Sequence, residues 1–223
     1  STASAQFVCA RDHFSGPAAC WENLSSSDVA FHALRDYVVG DDLRHIHWRT
    51  SARIGKLMVR QFEETRRSHL VVCLSQAPQD YDSPEAFELA VSVAASLGQQ
   101  SIREDRDLTI AVSGRQLHCE TGVRMLDDFC RLDFGPSVPA LEQVASDTAA
   151  AVPDASVAVL VAGVSVSPAR LHAAIARFSV DVLCVVVRCQ PGLALSRSSI
   201  AGAPVLSLGD LEAFPRAMRS LGA

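Results

Sequence analysis

Five short apolar runs constrain this chain more than any other feature: HLVVCLS (69–75), LTIAVSG (108–114), SVAVLVAG (156–163), VDVLCVVV (180–187) and APVLSLG (203–209). A run that is apolar at nearly every position leaves no face for water, so it suits a strand covered on both sides. Helix signals lie between the runs. Ser83 with Pro84 and Ser167 with Pro168 each place a capping hydroxyl before a proline at the first helical position. Phe87, Ala90, Val91, Ala94, Ala95 and Leu97 then recur at helical spacing toward Arg103. Further helices are expected near 124–132, 139–151 and 168–178, with a short one about Pro215. RQLHCET (115–121) reads as a hairpin partner of the second run, and 190–202 as loop. Strands alternating with helices predict an α/β fold, a Rossmann-like, mostly parallel sheet of about five core strands with helices on both faces.

A length of 223 residues suits one large α/β domain at 68–223 behind an N-terminal extension at 1–67. With 48% hydrophobic and 20% charged residues, most of the chain is not of disordered composition. No apolar run approaches the ~20 residues that span a bilayer. The chain opens on Ser1 with no signal-like segment, which reads as a piece of a longer protein. Seven cysteines at 9, 20, 73, 119, 130, 184 and 189 include no C-x-x-C pair, which reads as a reduced set in a cytosolic setting. His45 and His47 would share a side of a strand, but no further ligand lies near them in sequence, so zinc is not expected.

Charge is unevenly placed. Residues 35–60 hold six basic side chains (Arg35, Arg44, Arg49, Arg53, Lys56, Arg60) against three acidic ones (Asp36, Asp41, Asp42), a balance of +3. The whole chain carries −5, so the remainder carries −8. Such a stretch is either a contact surface or a buried knot of ion pairs. Asp41 and Asp42 can cap a short helix in which Leu43, Ile46, His47 and Thr50 share a face and which Gly55 ends. From Lys56 the pattern alternates as a strand, with Leu57, Val59 and Gln61 on one side.

Within 31–60, the run LRDYVVGDDLRHIHWRTSARIGKLMV resembles the signature of the bacterial "domain of unknown function fifty-eight" family, roughly L-R-x-Y-x-x-G-D-x-x-R-x-I-[DH]-W-x-x-S-A-R-x-G-x-L-x-V. It matches at Leu34, Arg35, Tyr37, Gly40, Asp41, Arg44, Ile46, His47, Trp48, Ser51, Ala52, Arg53, Gly55, Leu57 and Val59. The resemblance is strongest over 28–115. It implies a von Willebrand factor A-like domain that acts as a non-enzymatic adaptor with a MoxR-type AAA+ ATPase. It also implies a cytoplasmic location, either free or tethered to the inner face of the plasma membrane by segments outside this chain. No reaction is established for the family.

The resemblance directs attention to the loop after the first core strand, which in metal-binding von Willebrand A domains carries D-x-S-x-S. Here the segment is VVCLSQAPQ. Aligning Cys73 with the aspartate puts Ser75 and Ala77 at the serines, and aligning Ser75 there gives Ala77 and Gln79. Neither register has a carboxylate for a hard cation, and Asp80 and Asp82 are near but out of pattern, so the loop around Ser75 reads as a degenerate metal site. No metal or cofactor is expected. An enzyme would use His47 or His45 as base, Asp41 or Asp42 as its orienter and Ser51 as nucleophile, but no G-x-S-x-G, H-E-x-x-H or P-loop accompanies them. A structural reading makes Arg35, Asp41, Arg44 and Arg53 salt bridges and caps, with Tyr37 and Trp48 filling a seam between extension and sheet. In a third reading the arginines, Tyr37 and Trp48 clamp an anion or stack a base. The interleaved aspartates and the net negative charge speak against nucleic acid.

Overall fold

The computed structural model describes residues 33–38, 46, 48–61, 68–113, 115–132 and 138–219. The five apolar runs form the parallel strands of one sheet: β3 (Leu70–Leu74), β4 (Leu108–Val112), β6 (Val157–Gly163), β7 (Leu183–Cys189) and β9 (Ala203–Leu208). Short antiparallel strands, β5 (Arg115–Gln116) and β8 (Ser196–Ile200), close its two sides, giving the order β5-β4-β3-β6-β7-β9-β8. Counted along the chain, the five parallel strands lie second, first, third, fourth, fifth. The winding therefore reverses between β3 and β6, and that reversal opens the ligand crevice of doubly wound sheets at the strands' carboxyl ends.

Strand alternation divides the core in two. Val72, Leu74, Val159, Val161, Val185, Val187, Leu206 and Leu208 point to one face, where α2 (Pro84–Arg103), α3 (Gly122–Phe129) and α6 (Phe214–Arg219) cover them. Val71, Cys73, Ala158, Leu160, Val186 and Val205 point to the other, beneath α4 (Leu141–Ala151) and α5 (Pro168–Ile175). Burial pushes the Cys73 thiol up to about 12 and the Cys184 thiol up to about 11, so both pack as protonated, apolar groups.

The caps of α2 and α5 form as expected, with the Ser83 and Ser167 hydroxyls accepting from the backbone N–H of Ala86 and Arg170. Three expectations need correction. Residues 190–202 are not all loop, because SRSSI forms β8 and returns into β9 through Ala201 and Gly202, at φ 51° and 84°. Positive φ at both central positions matches the twist of a two-residue hairpin turn. α5 ends at Ile175, short of 178, and α3 starts at Gly122 because the Thr121 hydroxyl caps it by accepting from the Arg124 N–H.

The third correction concerns the basic stretch. β1 (Ala33–Asp36) pairs antiparallel with β2 (Met58–Gln61) in a separate two-stranded sheet, and α1 runs from Trp48 to Ile54. Ile46 is not helical; it bridges to Val59 as extended backbone. Asp41, Asp42, Leu43 and His47, the remaining residues of the expected cap and face apart from Thr50 in α1, lie outside the described residues. Among the described residues, no helix is long and apolar enough to cross a membrane.

Candidate functional site

The crevice between β3 and β6 is occupied by the chain's own polar groups. β3 ends at Leu74, and the Ser75 N–H donates to Val161 O across the reversal at 3.0 Å. A single 3-10 turn, Pro78–Asp80, folds the following loop back over the sheet end, with the Asp80 N–H donating to Ala77 O at 2.9 Å. The Tyr81 hydroxyl donates to Ser75 O at 2.7 Å and fastens the turn from its far side. Gly163, the last residue of β6, permits this approach: a Cβ there would stand 2.2 Å from Asp80 O and 2.9 Å from Tyr81 Cα.

Asp80 is 0% exposed. One carboxylate oxygen accepts from the Ser75 hydroxyl at 2.5 Å and the other accepts from Nη1 of Arg170 in the first turn of α5. The rest of the Arg170 fork donates to Glu142 at the start of α4, Nε to Oε1 at 2.6 Å and Nη2 to Oε2 at 3.0 Å. One guanidinium thus ties together the turn after β3, the first turn of α4 and the first turn of α5. Its hydrogen bond to Glu142, against the opposing effect of burial, raises its own pKa and lowers that of Glu142. Above the cluster, the exposed Ser165 hydroxyl donates to Asp82 and joins the loops that follow β3 and β6.

Asp80 is the carboxylate that neither sequence register could supply to Ser75, and it arrives with a cation already bound. Two carboxylates facing a fixed guanidinium can lock three elements together, but their oxygens are committed within the chain. Among the described residues, no three or more His, Cys, Asp or Glu side chains converge as a metal site. No reading of the sequence singled out Arg170 or Glu142. The available signal was an acid just after the first core strand and an arginine opening the helix after the third.

The pH response of this cluster has a definite sign. The hydrogen bond from Arg170 holds the folded-state pKa of Glu142 below its unfolded value of ~4.3. Its stabilising contribution is therefore present above that value and is lost as pH falls through the folded-state pKa. Unfolding midpoints measured from neutral to acid pH should fall less steeply for Glu142→Gln than for the parent. Parallel curves would show that ionisation of Glu142 is not linked to folding.

In the family signature, Ser51 has a structural role. Its buried hydroxyl accepts from the Met58 N–H at 2.8 Å and holds α1 against β2. Gly55 follows at φ 75°, its N–H donating to Ser51 O at 2.8 Å, which is a left-handed helix stop. The Tyr37 N–H donates to Leu57 O at 2.8 Å and extends the β1–β2 pairing. Trp48 fills no seam with the sheet, since it is 64% exposed, and Arg49, Arg53 and Lys56 are exposed as well. Gly40, Asp41, Arg44, His45 and His47, together with the side chain of Arg35, lie outside the described residues.

A family model described as "Protein of unknown function DUF58" matches residues 33–186, from β1 into β7. The uncharacterized protein YeaD of Bacillus subtilis (strain 168) is 32% identical over 84 residues, which cover 38% of this chain. The matched region is 20% of that relative's length.

Proposed function

The chain belongs to the DUF58 family of proteins of unknown function, and from that premise we propose that it is a non-enzymatic protein-interaction domain, an adaptor that works with a MoxR-type AAA+ ATPase in assembling or maturing protein complexes. In this reading residues 68–223 are a von Willebrand factor A-like unit, and the domain acts in the cytoplasm, free or held at the inner membrane face by segments outside the chain. The observation that supports the non-enzymatic part of the proposal is the self-filled crevice, while the ATPase partnership rests on the family resemblance. Where a doubly wound sheet ordinarily receives a ligand, Asp80, Arg170, Glu142 and Ser75 spend their polar groups on one another. The exposed Trp48 and the cations around it offer an outer surface instead.

Reconstitution of the full-length protein with the cognate MoxR-type ATPase tests this. Co-purification at low ionic strength that weakens as salt rises is expected, because fixed charges act chiefly on encounter and register. If no complex forms with or without nucleotide, while the isolated domain turns over a small substrate, the adaptor reading fails in favour of an enzyme or small-anion-binding domain centred on 35–53.

A further inference from the structure

We infer that the outward face of α1 is the docking surface, and that its partner is an acidic segment of another protein carrying apolar residues beside its carboxylates. This rests on the reading of the chain as an interaction domain and supplies the chemistry of the partner. Ser51 marks the inward side of α1, because its hydroxyl is bonded to Met58 of β2. At 3.6 residues per turn, Arg49 and Arg53 each lie about 160° around the helix from Ser51 and project farthest from the body. Trp48 and Ile54 lie about 60° to either side of Ser51, yet remain 64% and 55% exposed. Arg49 and Arg53, four residues apart, form one ridge along α1, and Lys56, just past the left-handed stop at Gly55, is an exposed cation beyond the helix end.

Charge selects an anionic partner for this ridge, and the excess of −8 outside 35–60 repels such a partner from the rest of the surface. The flanks select a protein among anions. Exposed tryptophan and arginine are the side chains that most often anchor protein interfaces. A lipid surface would be met by apolar side chains at the outermost points, where this helix instead carries Arg49 and Arg53. Nucleic acid is disfavoured by the net negative charge of the chain.

The test uses the full-length protein and a fluorescently labelled helical peptide of glutamates and leucines, followed by anisotropy. Saturable binding is expected, roughly tenfold weaker in the Arg49→Glu/Arg53→Glu variant and weaker again at higher salt. Trp48→Ala should weaken it as well, and a peptide with lysine in place of glutamate should not bind. The substituted positions are exposed, so unchanged unfolding midpoints serve as the control for folding. Equal binding by parent and double variant would overturn the inference. So would binding of phosphatidylglycerol vesicles or a single-stranded oligonucleotide through the same arginines without binding of the acidic peptide. The ATPase separates this inference from the broader reading. A complex that survives the double reversal removes the surface and keeps the adaptor, whereas discrimination of the peptide without any ATPase complex removes the adaptor and keeps the surface.

Discussion

Replacing Arg170 by alanine is expected to destabilise the fold by ~3 kcal/mol, the low end for one-sided rupture of a buried ion pair. For a chain of this size that lowers the unfolding midpoint by about 6–12 °C. The cost arises at Asp80, which is fully buried and would keep only the Ser75 hydroxyl as partner. The low end applies because the Arg170 side chain is 30% exposed, so water can enter the space it vacates. Asp80→Asn in the Arg170→Ala background removes the stranded charge and should recover part of the loss. The two substitutions together should therefore cost less than the sum of each alone. Strict additivity, or an unchanged midpoint for Arg170→Ala, would show that Asp80 and Arg170 are solvated independently and that the crevice is open.

The sheet was legible in sequence because its strands are buried on both faces, and such strands announce themselves at nearly every residue. β3 and β6 are buried throughout and coincide with apolar runs. β8 was not legible, because an edge strand of four exposed residues and one half-buried isoleucine carries neither an apolar run nor an alternation. Its only trace was the Ala201–Gly202 pair, and alanine is a poor advertisement for a positive φ. The helix expected from Asp41 failed at Ile46, whose side chain fits an amphipathic helix and an extended bridge equally well. Bonding of Ile46 to Val59 decided between them, and that is a tertiary choice.

The crevice cluster was hidden for a different reason. Asp80 and Arg170 are 90 residues apart, and they meet only because the strand order places β6 directly beside β3. Reading VVCLSQAPQ for a metal motif asked which carboxylate lay in register, whereas the fold answered with one from the next turn and a cation from another helix. The signature residues divide in the same way. Ser51 and Gly55 are explained by local backbone geometry, while Trp48 and Arg53 are exposed side chains with no part in that geometry.

Gly163→Ala carries the other large expected effect, a loss of about 3 kcal/mol, the upper part of the range for overpacking a tight site. The added methyl would meet Asp80 O at 2.2 Å, Tyr81 Cδ1 at 2.7 Å and Tyr81 Cα at 2.9 Å. The tyrosine ring can tilt, but the carbonyl and the Cα belong to the backbone of the 3-10 turn and its cap. Relief therefore requires the whole turn to lift from the end of β6. That movement strains the Ser75–Asp80 and Tyr81–Ser75 hydrogen bonds and draws Asp80 away from Arg170, so the steric cost spreads into the charge cluster. Gly122→Ala is the matched control, because nothing stands within 4 Å of a Cβ there and the residue opens α3. It should leave stability within about 0.5 kcal/mol of the parent or raise it slightly. Chemical denaturation of both variants distinguishes the outcomes. If Gly163→Ala unfolds at the same denaturant concentration as Gly122→Ala, the turn is not seated on β6, and the crevice between β3 and β6 is free to take a ligand after all.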